Sequence, residues 1–286
     1  MCDEETVNDS EVYLSRRQVG ITGGAAVLMA TLPRAANATD VTESDVTITT
    51  PDGDADAYFV HPSSGSHAAV LIWPDILGLR PAFRQMGKRL AEAGYAVLVI
   101  NPYYREAKSP VVSEGASFQD EETRNRVLPM ALALSAQTVM TDATAFVSFL
   151  DAQEAVDTSK KIGTTGYCMG GPFTMMTAAT LPDRIGAGAS FHGGRLVTDD
   201  PSSPHLLVPQ MKADFLFAIA ENDDEKQPEA KTSLREAFDS AGLKAEIEVY
   251  EGALHGWCPP DSRVYNEPQA ERAWSRMLAL LDGALA

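Results

Sequence analysis

Cysteine is scarce in this 286-residue chain, which has only Cys2, Cys168 and Cys258. So few thiols cannot build a disulfide framework, and none stands in a C-x-x-C pair. Basic residues are also few: 23 Lys and Arg face 40 Asp and Glu, for a net charge of −17. A chain this acidic repels a phosphate backbone, so nucleic acid is not an expected partner. The charge bears mainly on solubility. The N-terminal apolar stretch from Val19 to Leu32 is about 14 residues long, whereas roughly 20 are needed to cross a bilayer. Stable membrane insertion is therefore not expected. Internal repeats and low-complexity tracts are absent, and nothing marks an oligomeric state. What is present is a 44% hydrophobic composition, enough for one large α/β domain with a real core.

The first residues read as an address. Ser15-Arg16-Arg17-Gln18 precedes the Gly/Ala-rich stretch Val19–Leu32, and Ala36-Asn37-Ala38 places small residues where a signal peptidase reads. The pattern resembles a twin-arginine export signal. The expectation is a Tat-type signal peptide over 1–38, an exported, periplasmic protein and a folded domain over 39–286. Cys2 would leave with the signal.

Beyond it the pattern alternates strands with helices. The alternation from Val46 to Val60, broken by Pro51-Asp52-Gly53, predicts an antiparallel hairpin. Continuous apolar runs over 68–73 and 95–100 predict strands buried on both faces. Further strands are expected over 161–165, 185–191, 215–220 and 245–250, and helices over 81–93, 121–153 (in one or two pieces), 172–181, 228–241 and 268–285. Residues 101–120 read as loop. Such an order implies right-handed crossovers and a mostly parallel sheet with helices on both faces, with its site at the carboxyl ends of the strands.

One strand end carries a reactive side chain. In Ile162-Gly-Thr-Thr-Gly166-Tyr167-Cys168-Met169-Gly170-Gly171, a β-prone run meets an apolar helix at a cysteine flanked by glycines. This is the nucleophile-elbow spacing G-x-Nuc-x-G with a thiol as the nucleophile. A thiol nucleophile needs a base, and the base needs an orienter. His61 and His67 flank a turn, His205 lies in a Pro/Ser-rich loop, and His192 follows a strand end where it could border a pocket. His255 lies just past the strand ending at Tyr250, which is the right place for a base. Glu221-Asn222-Asp223-Asp224 closes another strand, so Asp223 or Asp224 could orient it. The order nucleophile, acid, histidine is that of the α/β-hydrolase fold. An oxyanion hole should combine the backbone N–H of Met169 with one from Pro74-Asp75-Ile76-Leu77-Gly78. Ile76 fits better than its neighbours, because Pro74 has no N–H and the Asp75 side chain has another possible use.

The sequence resembles the dienelactone hydrolase family over nearly the whole of 39–286. The resemblance rests on Trp73-Pro74-Asp75-Ile76-Leu77-Gly78, Asn101-Pro102-Tyr103-Tyr104-Arg105, the Gly166–Gly171 elbow, the Asp223 turn and His255-Gly256-Trp257. It implies hydrolysis of a small-molecule ester or lactone with no metal or cofactor. Cys168 would be the nucleophile, His255 the base, Asp223 its orienter, and Ile76 and Met169 the oxyanion donors. Asp75 stands where the family has a glutamate partnering the resting thiol. Arg105 matches the first of two arginines that grip a substrate carboxylate, and Arg263 is the nearest substitute for the second. Tyr103, Tyr104, Met169 and Trp257 would give a partly aromatic pocket. Two rival readings are a redox or sensing protein with a reversible Cys168–Cys258 disulfide, and a non-catalytic binding module on a hydrolase fold.

Overall fold

The computed structural model describes residues 31–33 and 38–285. The Arg16-Arg17 pair, and with it Ala36 and Asn37 of the expected cleavage site, lie outside the described residues.

Eight strands form one sheet in the order β1-β2-β4-β3-β5-β6-β7-β8. They are β1 (Val41–Thr50), β2 (Gly53–Pro62), β3 (Ala69–Trp73), β4 (Ala96–Ile100), β5 (Ile162–Tyr167), β6 (Ile185–Phe191), β7 (Asp214–Ala220) and β8 (Ala245–Tyr250). The first two make the expected antiparallel hairpin, and β2 also runs antiparallel to β4. From β4 to β8 every pairing is parallel. The chain passes from β3 outward to β4, then back across to β5, so the order reverses beside β3. Clefts open at such a switch point, beyond the carboxyl ends of the strands.

The helices are α1 (Pro81–Glu92), α2 (Glu121–Ala133), α3 (Ala136–Asp151), α4 (Gly170–Thr180), α5 (Glu221–Lys226), α6 (Ala230–Ala241) and α7 (Glu267–Ala284), with a 3-10 turn at Pro204–Gln210. Alternate residues of each central strand feed two cores, as a buried pleat requires. Leu71 and Trp73 of β3 join Leu98 and Ile100 of β4 in a cluster with Phe146 of α3, Phe173 of α4 and Phe238 of α6. Val70, Ile72, Val97 and Val99 join the opposite cluster, with Phe83 and Leu90 of α1 and Met277 and Leu281 of α7. This is the expected α/β-hydrolase architecture. The expected helical stretch 121–153 falls into two pieces because Ser135 starts α3 with a capping box, accepting from the N–H of Thr138 while Thr138 Oγ1 accepts from the N–H of Ser135. The expected acidic turn after β7 is itself a short helix, α5. Among the described residues no single helix is long and apolar enough to cross a membrane.

Candidate active site

Cys168 sits one residue past β5, with φ at +51°. A left-handed backbone at a non-glycine residue is strained, and here the surrounding packing holds it. The Cys168 N–H donates to the Phe191 carbonyl at 3.0 Å, and its own carbonyl accepts from Gly171 N–H at 3.0 Å. The flanking glycines are sterically obligatory. A Cβ on Gly166 would lie 2.0 Å from the Gly170 carbonyl oxygen, and one on Gly170 would lie 2.3 Å from that of Trp73. The elbow is thus pinned between β5, its own helix α4 and the end of β3.

His255 faces the thiol from the loop after β8. Its Nε2 lies 3.1 Å from Cys168 Sγ, and its Nδ1 lies 2.7 Å from Asp223 Oδ2. With Nδ1–H donating to the carboxylate, Nε2 is the atom that exchanges a proton with sulfur. Asp223 comes from α5, and its neighbour Asp224 instead holds Lys231 at 2.6 and 2.7 Å. The loop is braced at three further points. His255 N–H donates to the buried Asn222 side chain at 2.8 Å, Glu221 N–H donates to the Ala253 carbonyl, and Gly252 N–H donates to the Glu221 carboxylate. Burial works against a charged His255, but Asp223 and then the Cys168 sulfur outweigh it and hold the imidazole well above its ordinary 6.5. The Asp223 carboxylate and the Cys168 sulfur, one on each side of the ring, therefore favour its protonated form.

Ile76 is buried in the loop after β3, beside the elbow through the Trp73–Gly166 pairing. The Tyr103 hydroxyl donates to the Ile76 carbonyl at 2.7 Å, which fixes the orientation of this peptide segment. Met169 is the residue that caps the N-terminus of α4, where backbone N–H groups and the helix dipole favour negative charge. Neither the Ile76 N–H nor the Met169 N–H is engaged in a described loop hydrogen bond.

A cavity of about 120 Å³ opens over Cys168. Asp75, Ile76, Arg80, His192, His255, Asp261 and Arg263 are among the residues lining it, with the segment Gly115–Gln119 as one wall. Several expected substrate contacts stand elsewhere. Arg105 does not line the cavity: it donates to Asp142 at 2.7 and 2.8 Å and to Asp52 at 2.6 and 3.1 Å. Tyr104 is drawn to the same place, donating to Asp142 at 2.8 Å and meeting the Thr50 hydroxyl at 2.7 Å. The physical reason is Asp142, a carboxylate only 2% exposed, which recruits both neighbours because a buried charge must be paired. Trp257 is fully buried behind the histidine loop, stacked on Tyr250 at 4.8 Å. Asp75 does line the cavity, but its carboxylate is bound to Arg80 at 2.6 and 2.9 Å and accepts from Leu77 N–H at 2.9 Å. The expected thiol partner is thus committed to an arginine. Arg263 lines the mouth and pairs with Asp120 at 3.0 Å.

Arg80 escaped sequence reasoning, and His192, read only as a residue that could border a pocket, does line the cavity. Arg80 is almost wholly buried and joins the β3 loop to Asp261 in the histidine loop. His192 is 1% exposed, has φ at +40°, and packs its ring 5.1 Å from that of His255. Neither of its ring nitrogens has a hydrogen-bond partner among the described residues. Burial first, then the charge on His255, push its pKa well below 6.5, so it stays neutral. Its position after a strand end was the only signal in the sequence.

Cys168 and Cys258 are not joined in a disulfide, and each belongs to a different one of the two hydrophobic clusters flanking the sheet. Burial pushes the Cys258 thiol well up, which makes it a poor nucleophile. Among the described residues no group of three or more His, Cys, Asp or Glu side chains is placed to hold a metal ion.

Comparison with known proteins agrees with this architecture. A protein of Methylorubrum extorquens named carboxymethylenebutenolidase is 28% identical, over 94% of this chain and 92% of its own. A Bradyrhizobium protein named for 2-oxo-3-(5-oxofuran-2-ylidene)propanoate lactonase is 26% identical, over 79% of this chain and 88% of its own. The crystal structure of a Klebsiella pneumoniae protein titled a dienelactone hydrolase superimposes with a TM-score of 0.72 at 22% identity, covering 85% of this chain and 99% of that one. At that identity the likeness carries the fold alone. The sequence profile of the dienelactone hydrolase family matches residues 55–285, so the chain belongs to the dienelactone hydrolase family.

Proposed function

We propose that this protein hydrolyses a carboxylic ester or lactone by acyl transfer through Cys168, with His255 as the base and Asp223 as its orienter. The observation that carries this reading is the hydrogen-bonded line from Asp223 through His255 to Cys168, lying on a cavity at the carboxyl ends of the strands. The names of the relatives support it, since they describe a carboxymethylenebutenolidase and a lactonase. The cavity is small beside the roughly 300–1,000 Å³ of drug-sized sites, which suits a compact substrate.

In this mechanism the Cys168 thiolate attacks the carbonyl carbon, and the oxygen that gains charge is held by the N–H groups of Ile76 and Met169. A donor of this kind is worth roughly 3 to 4 kcal/mol in the transition state. Collapse of the intermediate breaks the C–O bond, and the departing alkoxide takes the proton of His255. Water then attacks the thioester and gives a proton to His255. The acid product leaves, and the imidazolium–thiolate pair is restored. Asp223 keeps Nδ1 protonated throughout, so Nε2 always faces the reacting atoms.

The experiment is turnover of a p-nitrophenyl ester by wild type and Cys168→Ala. Wild type turns the ester over and the variant does not, with the same far-UV circular dichroism. An inactive wild type would favour a binding module, and an active Cys168→Ala would remove the thiol from the chemistry. We also propose export, supported by Arg16-Arg17 ahead of the apolar stretch Val19–Leu32. Changing both arginines to lysine should leave the protein in the cytoplasmic fraction.

A further inference from the structure

Two arginines line the Cys168 cavity: Arg80 is fully engaged, and Arg263 is in an exposed pair with Asp120. Arg80 Nη1 and Nη2 donate to Asp75 at 2.6 and 2.9 Å, and Nε and Nη2 donate to Asp261 at 2.6 and 2.9 Å. Nη1 also reaches the Gly78 carbonyl at 3.3 Å. Arg263 gives its Nη2 to both carboxylate oxygens of Asp120 at 3.0 Å. A guanidinium holds a substrate carboxylate by offering it a free pair of N–H groups. Here the edges of Arg80 are already filled by protein carboxylates.

The charges in the wall point the same way. Asp75, Arg80 and Asp261 all line the cavity, two carboxylates against one guanidinium. Arg263 and Asp120 cancel. The reacting group adds the Asp223 carboxylate, because the Cys168–His255 pair is neutral wherever its shared proton sits, and the attack moves negative charge from sulfur to the substrate oxygen. A carboxylate on the substrate would enter a confined space that already holds excess negative charge, where like-charge contacts are costly and poorly screened.

We infer that the Asp75–Arg80–Asp261 clamp selects uncharged esters or lactones and turns away those bearing a carboxylate, with Asp261 as a specificity-determining residue. The inference rests on the proposed hydrolase reading and names the substrate class for that site. Asp261 is the informative position. It meets Arg80 at the edge of the cavity with its side chain 20% exposed, whereas Asp75 also anchors the loop that carries Ile76. Asp261→Asn removes one negative charge and keeps the shape.

The test compares kcat/KM for p-nitrophenyl hexanoate and for mono-p-nitrophenyl adipate, the same chain length ending in a carboxylate, each corrected for uncatalysed hydrolysis. Wild type should prefer the hexanoate by at least about tenfold. Asp261→Asn should shrink that ratio by roughly tenfold, the scale of one unit charge removed at close range. Equal turnover of the two esters by wild type, or a preference for the adipate, overturns the inference without any variant. A ratio unchanged in Asp261→Asn overturns the assignment to the clamp. If Asp261→Asn folds poorly, Asp261→Ser removes the same charge and is read the same way. Cys168→Ala is run beside them: retained turnover there means that the hydrolase reading has failed, whereas a dead Cys168→Ala with no charge preference in wild type means that only this inference has.

Discussion

Asp223 Oδ2 stands 2.7 Å from His255 Nδ1, while the adjacent Asp224 is turned away to Lys231. Two neighbouring carboxylates on one short helix thus have separate partners, and their substitutions should separate too. Asp223→Asn would present the wrong ring tautomer to the thiol and lower kcat by on the order of 10⁴-fold. Asp224→Asn breaks a partly exposed ion pair and should change kcat by less than about threefold. Steady-state kinetics on both variants decides it, and equal effects would contradict the assignment.

The same pair sets a titration. His255 is held well above 6.5 by Asp223 and Cys168 against the pull of burial. A raised histidine adds stability that is fully present below about pH 6.5 and is lost as pH climbs through the folded-state value. Asp223→Asn should lower the His255 midpoint seen by NMR, and Cys168→Ala should lower it less. A midpoint unmoved in Asp223→Asn would show that the carboxylate does not govern the ring.

His192 carries the opposite sign. Its buried, unpartnered ring is held neutral, with its pKa depressed by burial and then by His255. Its contribution is present above about pH 6.5 and is lost as pH falls toward the folded-state value. Urea midpoints measured from pH 7.5 down to 5 should decline less steeply in His192→Asn, a residue that tolerates the left-handed backbone. Parallel declines would contradict this.

How much of this was legible beforehand depends on what kind of information each residue carries. Cys168 and Asp223 each follow a buried strand, so an apolar run ending in a turn marks their place at the carboxyl edge of the sheet, whereas His255 follows the half-buried edge strand β8, legible from its alternation. The elbow was legible because only glycine fits at positions 166 and 170. Long-range charge pairing was not. Arg105 and Asp142 are 37 positions apart, Arg80 and Asp261 are 181 apart, and nothing local says which carboxylate an arginine meets. The short helix α5 was also missed, and so was Asn222, whose side chain braces His255 from within it.

Arg105 gives the clearest contrast between a binding role and a structural one. Arg105→Ala leaves Asp142 buried without its cation. Breaking a fully buried pair costs about 3–5 kcal/mol. Because the Arg105 side chain is 20% exposed, roughly 2 to 3 kcal/mol is expected after solvent screening. Denaturant unfolding reads the loss. The ratio of neutral to anionic ester turnover should stay where it is, and a selective loss on the anionic ester would place Arg105 in the binding site after all.

The central claim is that Cys168 carries the acyl group between two half-reactions. Acid-quenching the protein during turnover of a slowly deacylated ester, followed by peptide mass spectrometry, tests it most directly. The expected result is one acyl mass added to the peptide containing Cys168, removable by hydroxylamine and missing from Cys168→Ala, which has no esterase activity. Steady turnover in Cys168→Ala, or an acyl group found on another residue, would contradict the account.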